Sequence, residues 1–144
     1  MKRPEDEIRR LVSEWLRKAH LDFRTVERLI AEDPFRDIVA FHAQQAAEKY
    51  LKALLTRHQI EFPKTHELRR LLELLSEVEP RLAASLTDVK WLDPFGVEVR
   101  YPGDRPDTLP GDEKRARELA KLVRDSVLAV LNRYLSGDSV GSVD

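Results

Sequence analysis

One predicted helix carries four polar side chains whose chemistry suits proton transfer and phosphate binding. At about 100° per residue, they fall within an arc of roughly 80° beside the apolar stripe of that helix: His42, Gln45, Lys49 and Lys52. A histidine titrates near neutral pH and can take or give a proton, and a lysine can hold a phosphate. The same row is also typical of a helix flank, where long side chains lie along the core and His42 bonds a neighbour.

Two further groups of residues have types that suit the same chemistry. Thr65 and His66 follow a connector, and Arg100 and Tyr101 stand in a proline-rich stretch. An arginine binds phosphate or carboxylate through two hydrogen bonds. Structural roles are equally open, since Thr65 can cap a helix, His66 can be an ordinary surface residue, and Tyr101 can anchor a loop through its ring and hydroxyl.

The charge along the middle of the chain is uneven. Residues 49–70 hold six basic and two acidic side chains, a net charge of +4, whereas residues 71–98 hold two basic and six acidic ones, a net charge of −4. The basic stretch could draw a phosphate toward His42, His66 and Arg100. Alternatively, two oppositely charged faces would serve the docking of a partner or a second copy.

Composition excludes several classes of protein. The 144 residues fit one domain, and a net charge of −1 argues against binding nucleic acid by bulk positive charge. The chain has no cysteine, which excludes disulfides, thiolate zinc sites and cysteine nucleophiles. It has no apolar run long enough to cross a bilayer, and its first residues turn acidic where a signal peptide would turn apolar. We therefore expect a cytoplasmic protein with no membrane contact, no metal and no cofactor.

Two long helices are predicted to position the polar row. The first spans about residues 8–30, because apolar residues recur there at three- and four-residue steps. Asp33-Pro34 interrupts that pattern, and the second helix is predicted to begin near Phe35. Four alanines between residues 40 and 47 would let another helix approach closely, which predicts a central place for the second helix.

Shorter helices and a last long helix are predicted to complete the fold. Thr65 is the predicted N-cap of a third helix, and Pro80 opens a shorter helix to about Lys90. Residues 91–111 hold four prolines and three glycines and are predicted to form an ordered loop, with residues 96–99 as one candidate extended piece. The last helix is predicted from Asp112 to about Leu135. The result is an all-α bundle of four to five helices over residues 1–135, followed by a flexible tail over 136–144.

Three ordered motifs then point to a family. The runs FHAQQAAEKYLKA (residues 41–53), FPKTHEL (62–68) and RYP (100–102) resemble the HEPN domain (higher eukaryotes and prokaryotes nucleotide-binding), over about residues 8–135. The resemblance implies an up-and-down helical bundle that is usually a homodimer and is often encoded beside a minimal nucleotidyltransferase. Many such pairs act as toxin and antitoxin, in which the HEPN member cleaves RNA without a metal.

The nuclease signature of that family is an arginine, four to six intervening residues and a histidine, generally at the last long helix. The four histidines here are at 20, 42, 58 and 66, so none follows Arg100. Arg36 and His42 have five residues between them and match the spacing, although they lie roughly 120° apart around the second helix and about 9 Å along it.

The resemblance implies roles for the candidate residues. Cleavage of RNA needs a base for the 2′-hydroxyl proton, an acid for the leaving oxygen and a cation on the phosphate. The hypothesis assigns proton transfer to His42 and His66, and phosphate binding to Arg100 with Lys49. Supporting positions are Arg36 by its spacing, Tyr101 as a stacking platform, and Gln45 and Thr65 as substrate-binding neighbours.

Two other functions stay open. In the first, the polar row and the basic stretch form a non-catalytic module that binds a nucleotide or docks on a nucleotidyltransferase partner and supports its activity. In the second, the chain is a dimeric bundle without a ligand. The missing late histidine favours the non-catalytic module, whereas the Arg36/His42 spacing together with His66 and Arg100 favours the nuclease.

Overall fold

The computed structural model describes residues 3–97 and 108–136, and in this part of the chain all regular secondary structure is helical, without a strand. Five α-helices follow one another: α1 Glu5–Leu29, α2 Arg36–Arg57, α3 Leu68–Leu75, α4 Pro80–Ser85 and α5 Asp112–Ser136. Two 3-10 segments, Asp33–Phe35 and Thr87–Phe95, precede α2 and follow α4. The prediction of an all-α fold is confirmed. None of the helices in this part of the chain combines the length and apolar character that crossing a membrane requires.

The first helix forms where the apolar period predicted it. Its buried stripe comprises mostly apolar residues at helical spacing: Ile8, Val12, Leu16, Ala19, Asp22, Phe23 and Val26. Three acidic side chains occupy its first turn, where the helix dipole favours negative charge. Asp22 is the polar member of this stripe, and it is directed toward α2 with the apolar residues around it.

The second helix lies at the centre of the fold, as its alanines predicted. It packs against α1, α5, α3 and the second 3-10 segment. Ala40, Ala43, Ala46 and Ala47 are all fully buried, and a residue with only a methyl side chain lets a neighbouring backbone come close. Because little of α2 faces solvent, most polar side chains on it must find partners within the protein.

The predicted cap of the third helix is wrong. The Thr65 hydroxyl accepts a hydrogen bond from the Glu67 amide, one residue before α3 begins at Leu68. The first amides of α3 donate instead to Asp93, from Leu68 N to Oδ1 (2.6 Å) and from Arg69 N to Oδ2 (3.2 Å). A carboxylate from a distant segment therefore satisfies this helix end, and a pattern of adjacent residues could not reveal it.

The prediction of one helix over 80–90 and a loop from residue 91 is also wrong in part. The α4 helix ends at Ser85, and a 3-10 helix continues through Pro94 to Phe95. The reason is an apolar repeat of three residues, which matches the three residues per turn of a 3-10 helix; its buried members are Leu86, Val89, Leu92 and Phe95. Most of the remaining predicted loop, including Arg100 and Tyr101, lies outside the described residues, as do residues 98–99 of the extended piece and residues 137–144 of the tail.

Candidate functional site

Asp22 connects α1 to two members of the polar row of α2. Its Oδ1 accepts from His42 Nδ1 at 2.8 Å, and its Oδ2 accepts from Lys49 Nζ at 2.5 Å. The three side chains are 12%, 28% and 22% exposed, respectively. We call them the Asp22 group. Each carboxylate oxygen of Asp22 thus holds one cationic or protonatable side chain of the neighbouring helix.

The Asp22 carboxyl is held in its charged form. Burial alone would raise its pKa, but the hydrogen bonds from His42 and Lys49, together with their positive charge, outweigh burial and lower the pKa below its usual value. A carboxylate offers only acceptors, so the bonded His42 Nδ1 must carry the proton. This fixes the tautomer of a neutral His42 and leaves Nε2 as its basic nitrogen.

Glu48 organises a second group on the other side of the polar row. Its carboxylate is only 3% exposed and accepts from Lys52 Nζ at 2.8 Å and from His66 Nδ1 at 3.0 Å. The amide Nε2 of Gln45 lies 3.4 Å from the same carboxylate. These four side chains and Gln44 form the Glu48 group. Burial of a carboxylate is costly unless hydrogen-bond donors surround it, and the Glu48 carboxylate has such donors within the protein.

Gln44 joins the Glu48 group to the loop between α2 and α3, residues 58–67, and to the end of the second 3-10 segment. Its Nε2 donates to the backbone carbonyl of His66 at 2.5 Å, and its Oε1 accepts from Gln45 at 2.8 Å. Gly96 packs directly on it, since a Cβ at Gly96 would lie 2.8 Å from the Gln44 side chain. Gln44 is fully buried. Through its hydrogen bond it positions the backbone of His66, and Glu48 positions the imidazole ring of the same residue.

Lys52 is a buried cation with aromatic neighbours. Its side chain is 7% exposed, and Nζ lies 5.4 Å from the ring centroid of Trp15 and 5.6 Å from that of Phe62. The Glu48 carboxylate completes its surroundings. Cation–π contacts and one buried carboxylate together compensate the loss of water around this ammonium group.

The two sequence-predicted histidines share one arrangement. In each, Nδ1 is bound to a buried carboxylate, Asp22 for His42 and Glu48 for His66. Within residues 3–97 and 108–136 no hydrogen bond is made by either Nε2. His66 is 71% exposed, whereas His42 is 28% exposed. Each histidine is therefore oriented by a carboxylate and presents a free ring nitrogen.

Arg36 lies at the first turn of α2, and nothing in the described residues brings it into either group. Its Nε is buried without a hydrogen-bond partner in the part of the chain that the structure describes. The Arg36/His42 pair therefore matches the signature in spacing alone, because helix geometry separates the two residues by roughly 120°. Arg100 and Tyr101 lie outside the described residues.

The local positive charge is smaller than the sequence count indicates. Lys49 pairs with Asp22, and Lys52 pairs with Glu48. Both carboxylates precede residue 49 and were outside the basic stretch of 49–70. Arg70 also pairs with a carboxylate outside the stretch, Glu73, at 3.3 Å. Three of the six cations are thus paired in this way, and neither lysine is a free cation for a phosphate.

Sequence reasoning missed Asp22, Gln44 and Glu48. Asp22 stands three residues after Ala19 and four before Val26, so it is a polar residue in phase with a buried apolar stripe. Gln44 and Glu48 are one helical turn apart among buried alanines. A polar residue in phase with buried positions was the available signal, and it predicts burial with a partner without identifying that partner.

The described residues contain no cluster of three or more histidine, aspartate and glutamate side chains that could hold a metal ion.

The comparison with protein families agrees with the motifs. The family model described as HEPN domain matches residues 12–133, which include both groups and all five α-helices in whole or in large part. No curated protein and no solved structure matches the chain.

Proposed function

Because the chain belongs to the HEPN family, we propose that it is an endoribonuclease that works without a metal, the toxin-like member of a toxin–antitoxin pair. The proposal includes a cytoplasmic homodimer and a minimal nucleotidyltransferase as its antitoxin-like partner. One observation carries the catalytic part: His42 and His66 are each held through Nδ1 by a carboxylate and each present a free Nε2. Two oriented imidazoles supply the base and the acid that transfer within RNA requires.

The proposed reaction uses the RNA's own 2′-hydroxyl as nucleophile. His42 Nε2 takes its proton, the 2′-oxygen forms a bond to the adjacent phosphorus, and the bond from phosphorus to the 5′-oxygen breaks. His66, protonated, gives its Nε2 proton to that leaving oxygen. The products are a 2′,3′-cyclic phosphate and a 5′-hydroxyl end. Asp22 and Glu48 each bind Nδ1 of one imidazole, which holds that ring in orientation with Nε2 directed away from the carboxylate.

The phosphate needs positive charge as the reaction proceeds. Lys49 lies beside His42 through their shared Asp22 carboxylate, but its own charge is paired. In this proposal Arg100 supplies the remaining cation, and Tyr101 stacks on a base. Gln45, a member of the Glu48 group, and Thr65, the residue before His66, contact the substrate, and Arg36 lies too far around α2 for a direct part.

A second candidate function is a non-catalytic module that binds a nucleotide or docks on the nucleotidyltransferase partner. The separation of the two histidines favours it. His42 is a residue of α2, whereas His66 is held by Glu48 of α2. The α-carbons of His42 and Glu48 are about 10 Å apart by helix geometry, so the two rings are held at different places along the helix. The pairing of Lys49 and Lys52 also leaves little free charge for a transition state.

Cleavage of labelled RNA by the purified protein in EDTA tests the nuclease. We expect cutting by the wild type and losses of roughly 100-fold or more for His42→Ala and His66→Ala, as for removal of a general acid or base. His58→Gln is the matched control, since His58 also pairs with a carboxylate, Glu79, at 2.9 Å but lies outside both groups. Circular dichroism and thermal unfolding of each variant report folding.

Three results would decide between the candidates. Cutting that is lost only in His42→Ala and His66→Ala supports the nuclease. Equal cutting by these variants and by His58→Gln contradicts the assignment of the site. If the wild type leaves a broad panel of RNAs intact but retains nucleotide, or raises the activity of the partner, the non-catalytic module is the better description.

A further inference from the structure

A cavity of about 450 Å³ lies beside the Glu48 group, between the first half of α1 and the chain that follows α2. Its floor is apolar, from Ile8, Leu11, Trp15, Ile60 and Phe62. Its rim is polar, from Arg3, Thr56, Gln59 and Glu61. An apolar cavity of this size with a few polar groups is the usual form of a small-molecule site.

We infer that this cavity, the α1 cavity, binds the planar base of a ribonucleotide. The inference rests on the proposed function, because it describes the substrate of the same site. Trp15 and Phe62 meet edge to face at 6.1 Å, and both rings line the cavity. Stacking on aromatic rings is the contact that proteins use for bases of single strands, whose faces are exposed.

The polar rim suits the edge of a base better than an aliphatic side chain. Gln59 Oε1 accepts from the backbone amide of Arg3 at 3.2 Å, which leaves its own amide nitrogen as a donor. Thr56 and Glu61 make no side-chain hydrogen bond within the described residues. A hydroxyl, an amide and a carboxylate around an apolar floor offer donors and acceptors, as the edge of a base does.

The backbone holds this rim in an unusual conformation. Gln59 has a φ of 57°, in the left-handed region that favours glycine, just after α2 ends. Glycine would close the helix at lower cost, yet a glutamine keeps its side chain there and contacts Arg3 with it. The chain thus retains a strained residue whose side chain lines the cavity.

A chain of side-chain contacts links the cavity to the Glu48 group. Trp15 and Phe62 form the apolar neighbours of Lys52, Lys52 pairs with Glu48, and Glu48 holds His66. Phe62 also lies in the loop between α2 and α3 that contains His66, four residues earlier. The contacts that begin at the α1 cavity thus end at His66, one of the two candidate catalytic histidines.

The two tryptophans of the chain allow a direct test. Trp91→Phe leaves Trp15 as the one fluorescent tryptophan, and Trp15→Phe leaves Trp91, which packs on Phe95 and Arg115 away from the cavity. We expect AMP, GMP, CMP or UMP to quench the Trp15 reporter at millimolar concentrations, ribose 5-phosphate to leave it unchanged, and the Trp91 reporter to respond to neither.

Variants of the lining then locate the binding. Phe62→Leu should weaken nucleotide binding about tenfold through loss of stacking. Gln59→Gly should weaken it less, and this variant guards against misfolding because it relieves the positive φ. Unchanged affinity in both variants, despite quenching of Trp15, would overturn the assignment to the cavity.

Other outcomes separate this inference from the proposed function. Absence of any response to the four nucleotides in a protein that cuts RNA would overturn the base site and leave the nuclease intact. Binding without cutting would retain the base site and reject the nuclease. Equal quenching by ribose 5-phosphate would indicate a sugar-phosphate site, and a Trp15 signal that depends only on protein concentration would indicate a second copy, so either result would overturn the inference.

Discussion

The Asp22 group and the Glu48 group contain the same three kinds of charged or titratable side chain but differ in how deeply they are buried. In both, a carboxylate on a long helix holds one histidine and one lysine. Asp22 joins two helices at the partly exposed edge of the bundle, whereas Glu48 pairs with Lys52 within one helix and in nearly complete burial. The histidines are exposed in the reverse order, since His66 is far more open than His42.

Because of this difference in burial, we expect the two groups to contribute differently to the stability of the fold and to the orientation of their histidines. A buried ion pair is costly to break because the remaining charge has no water, so the Glu48 group should govern folding as well as the orientation of His66. The Asp22 group has access to solvent, and its loss should affect His42 more than the fold. The predictions below test this contrast, from the largest expected effect to the smallest.

Glu48→Ala should be the most destabilising change. It leaves the buried Lys52 without its carboxylate, which we expect to lower the free energy of unfolding by about 3–5 kcal/mol. Urea denaturation followed by circular dichroism measures this. Adding Lys52→Met removes the uncompensated charge and should restore much of the loss. If the double variant is no more stable than Glu48→Ala, the buried pair is not the cause.

Asp22→Ala should have a smaller effect, about 1–2 kcal/mol, because its partners are partly solvated hydrogen-bond donors. Glu27→Ala is the matched control from the same helix. Glu27 also bridges to another helix, through Arg117 at 2.8 Å, but at the surface, so its loss should cost about 0–1 kcal/mol. Equal losses in the two variants, measured by the same urea titration, would remove the distinction between the Asp22 group and a surface ion pair.

Gly96→Ala should lower stability by about 1 kcal/mol through the Glu48 group. The new Cβ would lie 2.8 Å from the side chain of Gln44, which the carbonyl of His66 and the amide of Gln45 hold in place. Thermal unfolding of Gly96→Ala, Gln44→Ala and the double variant gives the coupling between the two sites. Strictly additive losses would show that the two residues do not interact.

The smallest expected effect is a change in pH dependence at His20, which lies outside both groups. Burial, followed by the nearby charge of Arg124, lowers the pKa of His20 below its ordinary value of 6.5, and its Nδ1 shares a hydrogen bond of 2.6 Å with the Tyr50 hydroxyl. The folded state binds a proton less readily than the unfolded state, so this contribution to stability is complete above pH 6.5 and is lost progressively as the pH falls below it. Urea midpoints across that range should show a shallower acid loss for His20→Gln; an unchanged slope would contradict the prediction.

The positions of the helices were largely set by the sequence, because hydrophobic period and proline breaks act over a few neighbouring residues. The extent of α1, the start of α2 and the extent of α5 followed from those local signals. So did the polar row on α2, since a helix fixes which of its own residues share a face. The three-residue repeat from Leu86 to Phe95 was a local signal too, but the prolines obscured it.

Tertiary structure decided which residues the row would meet. Asp22 is 20 residues from His42 and 27 from Lys49, Glu48 is 18 from His66, and Asp93 reaches α3 across 25. A periodic pattern predicts that a polar residue is buried, but it does not identify a partner so distant in the chain. The pairing of each histidine with a carboxylate and the cavity beside Lys52 therefore form only when the helices pack. Packing removes water from these charged groups, and a buried charge is stable only when an oppositely charged or hydrogen-bonding group lies next to it.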